Sequence, residues 1–361
     1  MTVFSFILLI IIGLILQQTI LKHGLDDVSY DIRSDSRCVE CDTPFKLITS
    51  VANNKLLPVF FLRLSELVPL QLNIAENEKN ITRRVIGGTT SHAGAAIEQV
   101  LYVMPRQRVT RELEVSLPKR GRYLLRGATL TGGDLLGITE NSTRVNMARE
   151  IIVYPRRADI KPVEHAFGGY LGEVSVRRFI MPDPMEIVGF REYTGREPQR
   201  DISWKETLRR NRLMVKQYDF TAEQRASLIL DISDAEEEQI EHGYEITRSI
   251  CEYLESRRIR YSFYTNARMT AVNGSWTYIP DGIGSVHLNT ILEGLGRAEL
   301  DTFCSFRRLL HNTAQGRDDG RSYILVTANP ARKQQIIAQY ERQLGQKIFI
   351  IDIDHAGGEG R

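Results

Sequence analysis

The sequence predicts a multi-domain chain: an N-terminal transmembrane helix, then an antiparallel β-sandwich, then a doubly wound α/β domain. Three observations carry this. An uncharged apolar run, "VFSFILLIIIGLILQQTIL" (Val3–Leu21), opens the chain. Up to about residue 155 the sequence breaks into short runs rich in Val, Leu, Ile and Tyr, separated by Asn, Gly, Pro and charged residues, as in a sandwich. From about residue 225, apolar runs alternate with segments of 3–4 spacing, the signature of strands alternating with helices.

Val3–Leu21 is long enough for a membrane-crossing helix, which takes roughly 20 residues. No Lys or Arg precedes it and no small-x-small cleavage site follows, so it reads as a retained anchor, residues 1–21, rather than a signal peptide. Lys22, Arg33 and Arg37 follow the run, and the positive-inside bias then keeps the body of the chain in the cytoplasm. The expected location is the cell membrane, single-pass.

The remaining 340 residues have an ordinary globular composition, since the whole chain is 42% hydrophobic and 25% charged. The net charge of +2 gives no general attraction for nucleic acid, and neither a nucleic-acid partner nor a small-molecule substrate is expected. Residues 22–37 read as a tether. A β-sandwich is expected over 38–156, with runs such as "FKLITSVAN", "LPVFFLRLSEL", "RELEVSL" and "REIIVYP", and with "RVIGGTTSHAGAA" as a long loop. Residues 157–217 read as a connector. Within it, "SWKETLRRNRLMVKQ" (203–217) allows an amphipathic helix with Ser203 as N-cap and Glu206 completing a capping box. The α/β domain is expected over 218–352: "RASLILDI" as a buried strand, a helix over Glu236–Arg258, the strand "IRYSFYTN", helices in "VHLNTILEGLGRAEL" and "TFCSFRRLL", the strand "SYILVTANP", a helix over Ala331–Leu344 and a last strand "KIFIIDI".

Motifs of chemistry are few. Walker A, G-x-S-x-G and H-E-x-x-H patterns do not occur. Cys38 and Cys41 form a lone C-x-x-C without the further ligands a zinc site needs, and read as ordinary strand or turn thiols. His165 reads as structural or solvated. The sequons at Asn80, Asn141 and Asn273 read as chance. Gly189–Lys216 stands out, with eight Lys/Arg, four Asp/Glu and a central Trp204. It reads either as a structural clasp, with Trp204 stapling the connector onto the next domain, or as a partner-docking surface.

The stretch "GFREYTGREPQRDISWKETLRRNRLMVKQYDFTAEQRASLILDIS" (Gly189–Ser233) resembles the bacterial family called domain of unknown function 58. The residues that carry the resemblance are Arg191, Tyr193, Gly195, Arg200, Ile202, Trp204, Arg209 or Arg210, Leu213, Val215, Lys216 and Tyr218, then Asp231. Arg196 stands where that pattern usually has an acid, and Leu208 near its small residue. Upstream, "ANNKLLPVFFLRLSELVP" and "LPKRGRYLLRGATLTGGDLLGI", with Arg120, Gly121, Tyr123, Asp134 and Gly137, are similar to the family's sandwich segments.

The resemblance implies a membrane-anchored β-sandwich followed by a von Willebrand factor A-like domain, working with a MoxR-type AAA+ ATPase. The metal site of von Willebrand A domains uses Asp-x-Ser-x-Ser, a threonine from a second loop and a later aspartate. Here the first loop keeps Asp231 and Ser233 but loses the second serine, and Ala328 replaces the later aspartate. Because Mg²⁺ demands near-complete oxygen ligation, this is a degenerate site and no metal or other cofactor is expected, although Asp234 or Asn329 offers a substitute ligand. The reading is a membrane-anchored, non-enzymatic scaffold or adaptor for an AAA+ ATPase in assembly or envelope maintenance, with Arg191, Tyr193, Gly195, Arg200, Trp204, Arg209 and Lys216 as the docking or interdomain motif. The alternative is a metal-dependent adhesion-type protein outside the cell.

Overall fold

The computed structural model describes residues 11, 22–75, 82–86, 94–133, 139–161, 167–170, 187–195, 197–218, 224–270, 277–314 and 321–356. The chain divides into two compact units, residues 1–156 with 295–297, and residues 157–294 with 298–361.

The first unit holds β1 (Val28–Ser34), β2 (Cys38–Val39), β3 (Phe45–Asn53), β4 (Val59–Pro69), β5 (Asn73–Ile74), β6 (Thr82–Ile86), β7 (Gly94–Val103), β8 (Arg108–Ser116), β9 (Gly121–Gly133) and β10 (Glu140–Val153). They form two sheets, ordered β1-β3-β8-β5 and β2-β10-β9-β4-β7-β6. Alternate residues of each sheet enter one apolar core: Phe45, Leu47 and Val51 from β3, Leu113 and Val115 from β8, Leu62, Leu64 and Val68 from β4, and Leu125, Ala128 and Leu130 from β9. This is the period-2 pattern of sheets with one buried face.

The second unit holds β11 (Ile187–Glu192), α1 (Trp204–Arg210), β12 (Met214–Tyr218), β13 (Arg225–Asp231), α2 (Glu237–Ser256), β14 (Arg260–Thr265), β15 (Ala267–Met269), β16 (Tyr278–Gly282), α3 (Ser285–Arg297, whose last three residues group with the first unit), β17 (Ala298–Thr302), α4 (Phe306–Ala314), β18 (Ser322–Thr327), α5 (Pro330–Leu344), β19 (Phe349–Asp352) and α6 (Ile353–Ala356). Its main sheet has the order β16-β14-β13-β18-β19. The central strands β13 and β18 are buried almost throughout, and their apolar runs suit strands covered on both faces. α2 starts at a capping box between Glu236 and Gln239 and buries Ile240, Tyr244, Thr247, Cys251 and Leu254.

Several expectations are corrected. Among the described residues no helix is long and apolar enough to cross a membrane; the expected transmembrane anchor and single-pass membrane location gain no support and are not carried forward. Val3–Leu21 itself lies outside the described residues apart from Ile11, as do His165, Asp134, Gly137, Asn80 and Asn273. The doubly wound, von Willebrand factor A-like class is also withdrawn. The described chain is β-rich, with nineteen strands and six α-helices, and the sheet of its second unit is mixed rather than parallel. Three local misreadings explain this. "YIPDG", assigned no strand from its sequence, is β16, antiparallel to β14; its Pro280 is tolerated because the strand is an edge. Ala298–Leu300, read as the end of a helix, belongs to β17, which pairs with β15 instead. The helix read over 203–217 stops at Arg210, where Asn211 takes a left-handed φ of 54°, and Met214–Tyr218 turns back to pair with β11.

The inward phase of β4 runs Leu62, Leu64, Glu66, Val68, so a carboxylate enters the sandwich core. Glu66 accepts hydrogen bonds from Thr49 Oγ1 at 2.6 Å and Tyr30 Oη at 3.1 Å, and pairs with Arg111. Arg111 lies opposite Thr49 in the β3–β8 register, which delivers the guanidinium to the site. Burial pushes the Tyr30 phenol far above its ordinary pKa, and the Glu66 charge adds to the effect. Removing one partner of a buried pair leaves the other charge uncompensated, at a cost of about 3–5 kcal/mol. Glu66→Ala is expected to lower the stability of this unit by about that amount, read from hydrogen exchange of the β4 amides; a loss below about 1 kcal/mol would contradict the role assigned to Glu66.

Candidate functional site

The strand ends of the second unit converge on Asp231. Its carboxylate is fully buried. Parallel pairing places Thr327, the last residue of β18, directly beside it, and brings Asn266, which follows β14, to its other side. Oδ1 accepts from Asn266 Nδ2 at 2.7 Å, Ser233 Oγ at 2.6 Å and the Ser233 backbone N–H at 3.1 Å. Oδ2 accepts from Thr327 Oγ1 at 2.8 Å and from the Lys333 ammonium at 2.6 Å. Asn266 completes the ring by accepting from the Ile232 N–H at 3.0 Å.

Lys333 is the unexpected member. It lies in the first turn of α5, after Asn329, which takes a left-handed φ of 50° as N-cap, and Pro330 at the first helical position. A helix N-terminus favours acids over cations, yet this first turn has no acid. The lysine is placed there because its ammonium reaches inward. Besides Asp231 it donates to the Ser233 carbonyl at 2.7 Å and to Thr327 Oγ1 at 2.9 Å, so its three N–H donors meet three acceptors. The ammonium also lies 5.3 Å from the centre of the Phe306 ring. Of the substitute ligands considered for a metal, Asp234 is exposed with a left-handed φ of 59°, and Asn329 serves as the helix cap. Ala328 is fully buried.

The basic Trp-containing motif forms a small hairpin of its own. β11 pairs with β12, Ile202 bridges Val215, the Tyr193 N–H donates to the Leu213 carbonyl at 2.8 Å, and the Ser203 N–H donates to the Met214 carbonyl at 2.9 Å. The Ser203 side chain makes no capping bond. Gly195 has a φ of +90°, a conformation that favours glycine. Arg191 is tied to Glu197 at 2.6 Å, and Thr194 donates to the same carboxylate through Oγ1 at 2.7 Å and through its backbone N–H at 3.0 Å. Lys216 is half-buried on β12. Arg209 and Arg210 approach the buried Glu206 at 3.7 and 3.3 Å from exposed positions, and Arg200 is exposed. Trp204 is not a staple. It is 64% exposed, and Leu208, one turn along the same face of α1, is 84% exposed.

Asp231 and Ser233 are therefore brought together with Asn266, Thr327 and Lys333, three residues that the sequence reading did not assign to the site. The C-x-x-C cysteines lie elsewhere, in the first unit, with the Cys41 thiol donating to the Pro118 carbonyl at 2.8 Å.

No protein-family profile and no curated protein matches the chain. Solved structures similar to part of it include the cohesin module of a Clostridium perfringens family 33 glycoside hydrolase, at 10% identity and a TM-score of 0.25, covering 35% of this chain and 96% of that one. The CARDB domain of a Pyrococcus furiosus protein, solved with di-metal ions, aligns at 11% identity and a TM-score of 0.22, covering 35% and 87%. A non-cellulosomal cohesin from Archaeoglobus fulgidus aligns at 12% identity and a TM-score of 0.23, covering 39% and 97%. At these scores the similarities carry no argument about function.

Two outcomes follow for the site. Asp231→Ala strips the Lys333 ammonium of its counter-charge, and is expected to destabilise the second unit by about 3–5 kcal/mol in a denaturant titration; a change within about 0.5 kcal/mol would show that the pair does not hold the strand ends. The hydroxyl and N–H of Thr194, with Arg191, hold the Glu197 carboxyl down from an ordinary 4.5 to about 2. The ties of the motif loop thus persist from neutral pH down through 4.5 and are lost only as the pH falls through about 2. Carbon-detected NMR titration of the Glu197 carboxyl checks this, and a midpoint in the usual glutamate range would contradict it.

Proposed function

We propose that this chain is a non-enzymatic adaptor that docks a protein partner on the Trp204–Leu208 face of α1, and that the partner is an AAA+ ATPase of the MoxR type. The partner class rests on the resemblance carried by Arg191 through Lys216. The single observation that supports the docking face is the exposure of Trp204 and Leu208 side by side on one short helix. Large apolar side chains left in water within a basic rim are typical of the anchors of protein interfaces, where Trp and Arg are enriched.

The rim is built by Lys205, Arg209 and Arg210 on α1, with Arg200 just before it, all exposed. A complementary partner surface presents an apolar recess bordered by acidic side chains. The hairpin beneath is held by its own ladder and by the Glu197 ties, so the face is presented by a preformed scaffold. The metal-dependent adhesion reading is not carried forward, because the Lys333 ammonium sits against the Asp231 carboxylate where that reading needs an ion.

Trp204→Ala combined with Leu208→Asp is expected to weaken binding of the purified MoxR-type ATPase at least about thirtyfold, equivalent to about 2 kcal/mol. The same change is expected to alter the stability of the chain by no more than about 0.5 kcal/mol, as for other surface substitutions. Surface plasmon resonance and a denaturation curve on the same preparations read the two quantities. Unchanged affinity would contradict the docking face, and a large stability loss would return Trp204 to a clasp role.

A further inference from the structure

The Lys333 ammonium occupies a point where oxygens from two separate loops meet. Asp231 Oδ2 and the Ser233 carbonyl come from the loop after β13, and Thr327 Oγ1 comes from the end of β18, at 2.6, 2.7 and 2.9 Å. All three are hard oxygen donors and one is anionic, the ligand type taken by Mg²⁺, Mn²⁺ and Ca²⁺. The other carboxylate oxygen is oriented by Asn266 and Ser233, as the outer partners of a metal-bound carboxylate orient it. A buried ammonium must satisfy all three of its N–H groups, and here each is met by an oxygen of this one set. Lys333 and Asp231 are both almost fully buried.

We infer that Lys333 is a covalently tethered substitute for a divalent cation, and that its side chain masks a latent metal site formed by Asp231, Ser233 and Thr327. The ammonium carries its positive charge on the chain itself, so the loops at the strand ends are held together at any ambient divalent concentration. Its three donors are consumed by these oxygens, so it has none left to meet an incoming ligand carboxylate, which a hydrated metal ion with open positions does. The site is therefore a permanent brace and not a metal-gated ligand site. Truncating the lysine removes the positive charge and the four-carbon stem together, leaving the oxygen set and space for the water molecules that complete a divalent ion's coordination. The inference concerns the strand ends alone and does not depend on the docking role of Trp204.

The test is titration of full-length wild-type protein and of Lys333→Ala with MnCl₂, read by calorimetry and by water-proton relaxation. Wild type is expected to show no saturable site. Lys333→Ala is expected to gain one site per chain, weakened at least tenfold by Asp231→Asn in the same background. Saturable, Asp231-dependent Mn²⁺ binding by wild type would overturn the inference, as would a folded Lys333→Ala that binds no Mn²⁺, Mg²⁺ or Ca²⁺. If Lys333→Ala does not fold in metal-free buffer, addition of a divalent ion is expected to restore its far-ultraviolet circular dichroism. Failure of all three ions to do so would equally overturn it.

Discussion

The second unit depends on one buried ion pair, Asp231 with Lys333. Neither group is tolerable alone at that depth, since moving a lone charge out of water costs several kcal/mol even after relaxation. Together they are compatible because every remaining lone pair and proton has a partner: Ser233, Asn266 and Thr327 on the carboxylate, the Ser233 carbonyl and Thr327 on the ammonium. The pair therefore fixes more than two side chains. It joins the ends of β13, β14 and β18 to the first turn of α5, and so sets where the connecting loops leave the sheet.

The first unit solves a similar problem in different material. Glu66 enters a sandwich core on the inward phase of β4 and is met by two hydroxyls and a guanidinium. In both units the carboxylate comes from a strand, a threonine hydroxyl from a paired or nearby strand supplies a neutral donor, and one cation supplies the charge. Such arrangements are strongly destabilised by the loss of a single member, while an apolar core of the same volume would be no less stable. They give each sheet one register in which the polar groups are satisfied.

Much of the local structure was legible in the sequence. The spacing of Ile240, Tyr244, Thr247, Cys251 and Leu254 marks the buried face of α2, and the apolar run 228–230 ending on Asp231 marks a central strand whose carboxylate closes it. What was not legible depends on pairing partners far away in sequence. Ala298–Leu300 has the residues of a helix end and becomes a strand because β15 is there to pair with it; "YIPDG" shows no strand pattern because a proline-bearing edge strand carries no alternation of its own. The brace itself left one readable sign: a lysine in the first turn of a helix, where the dipole disfavours it, three residues after a proline at the first helical position. Trp204 was half legible. Its placement on a short helix between arginines was plain, but nothing in the neighbouring residues marked it as facing outward.

The strand-end cation is a property of the chain rather than of the solution around it, and the proposed recognition belongs to the separate basic face of α1. The most direct measurement of this claim is the ¹⁵N NMR spectrum of lysine ammonium groups in the full chain, recorded with and without Mn²⁺. A slowly exchanging Lys333 ammonium resonance is expected, absent in Asp231→Asn and unbroadened by Mn²⁺. A Lys333 ammonium that exchanges as fast as the exposed lysines, or one broadened by Mn²⁺ bound beside it, would contradict the account.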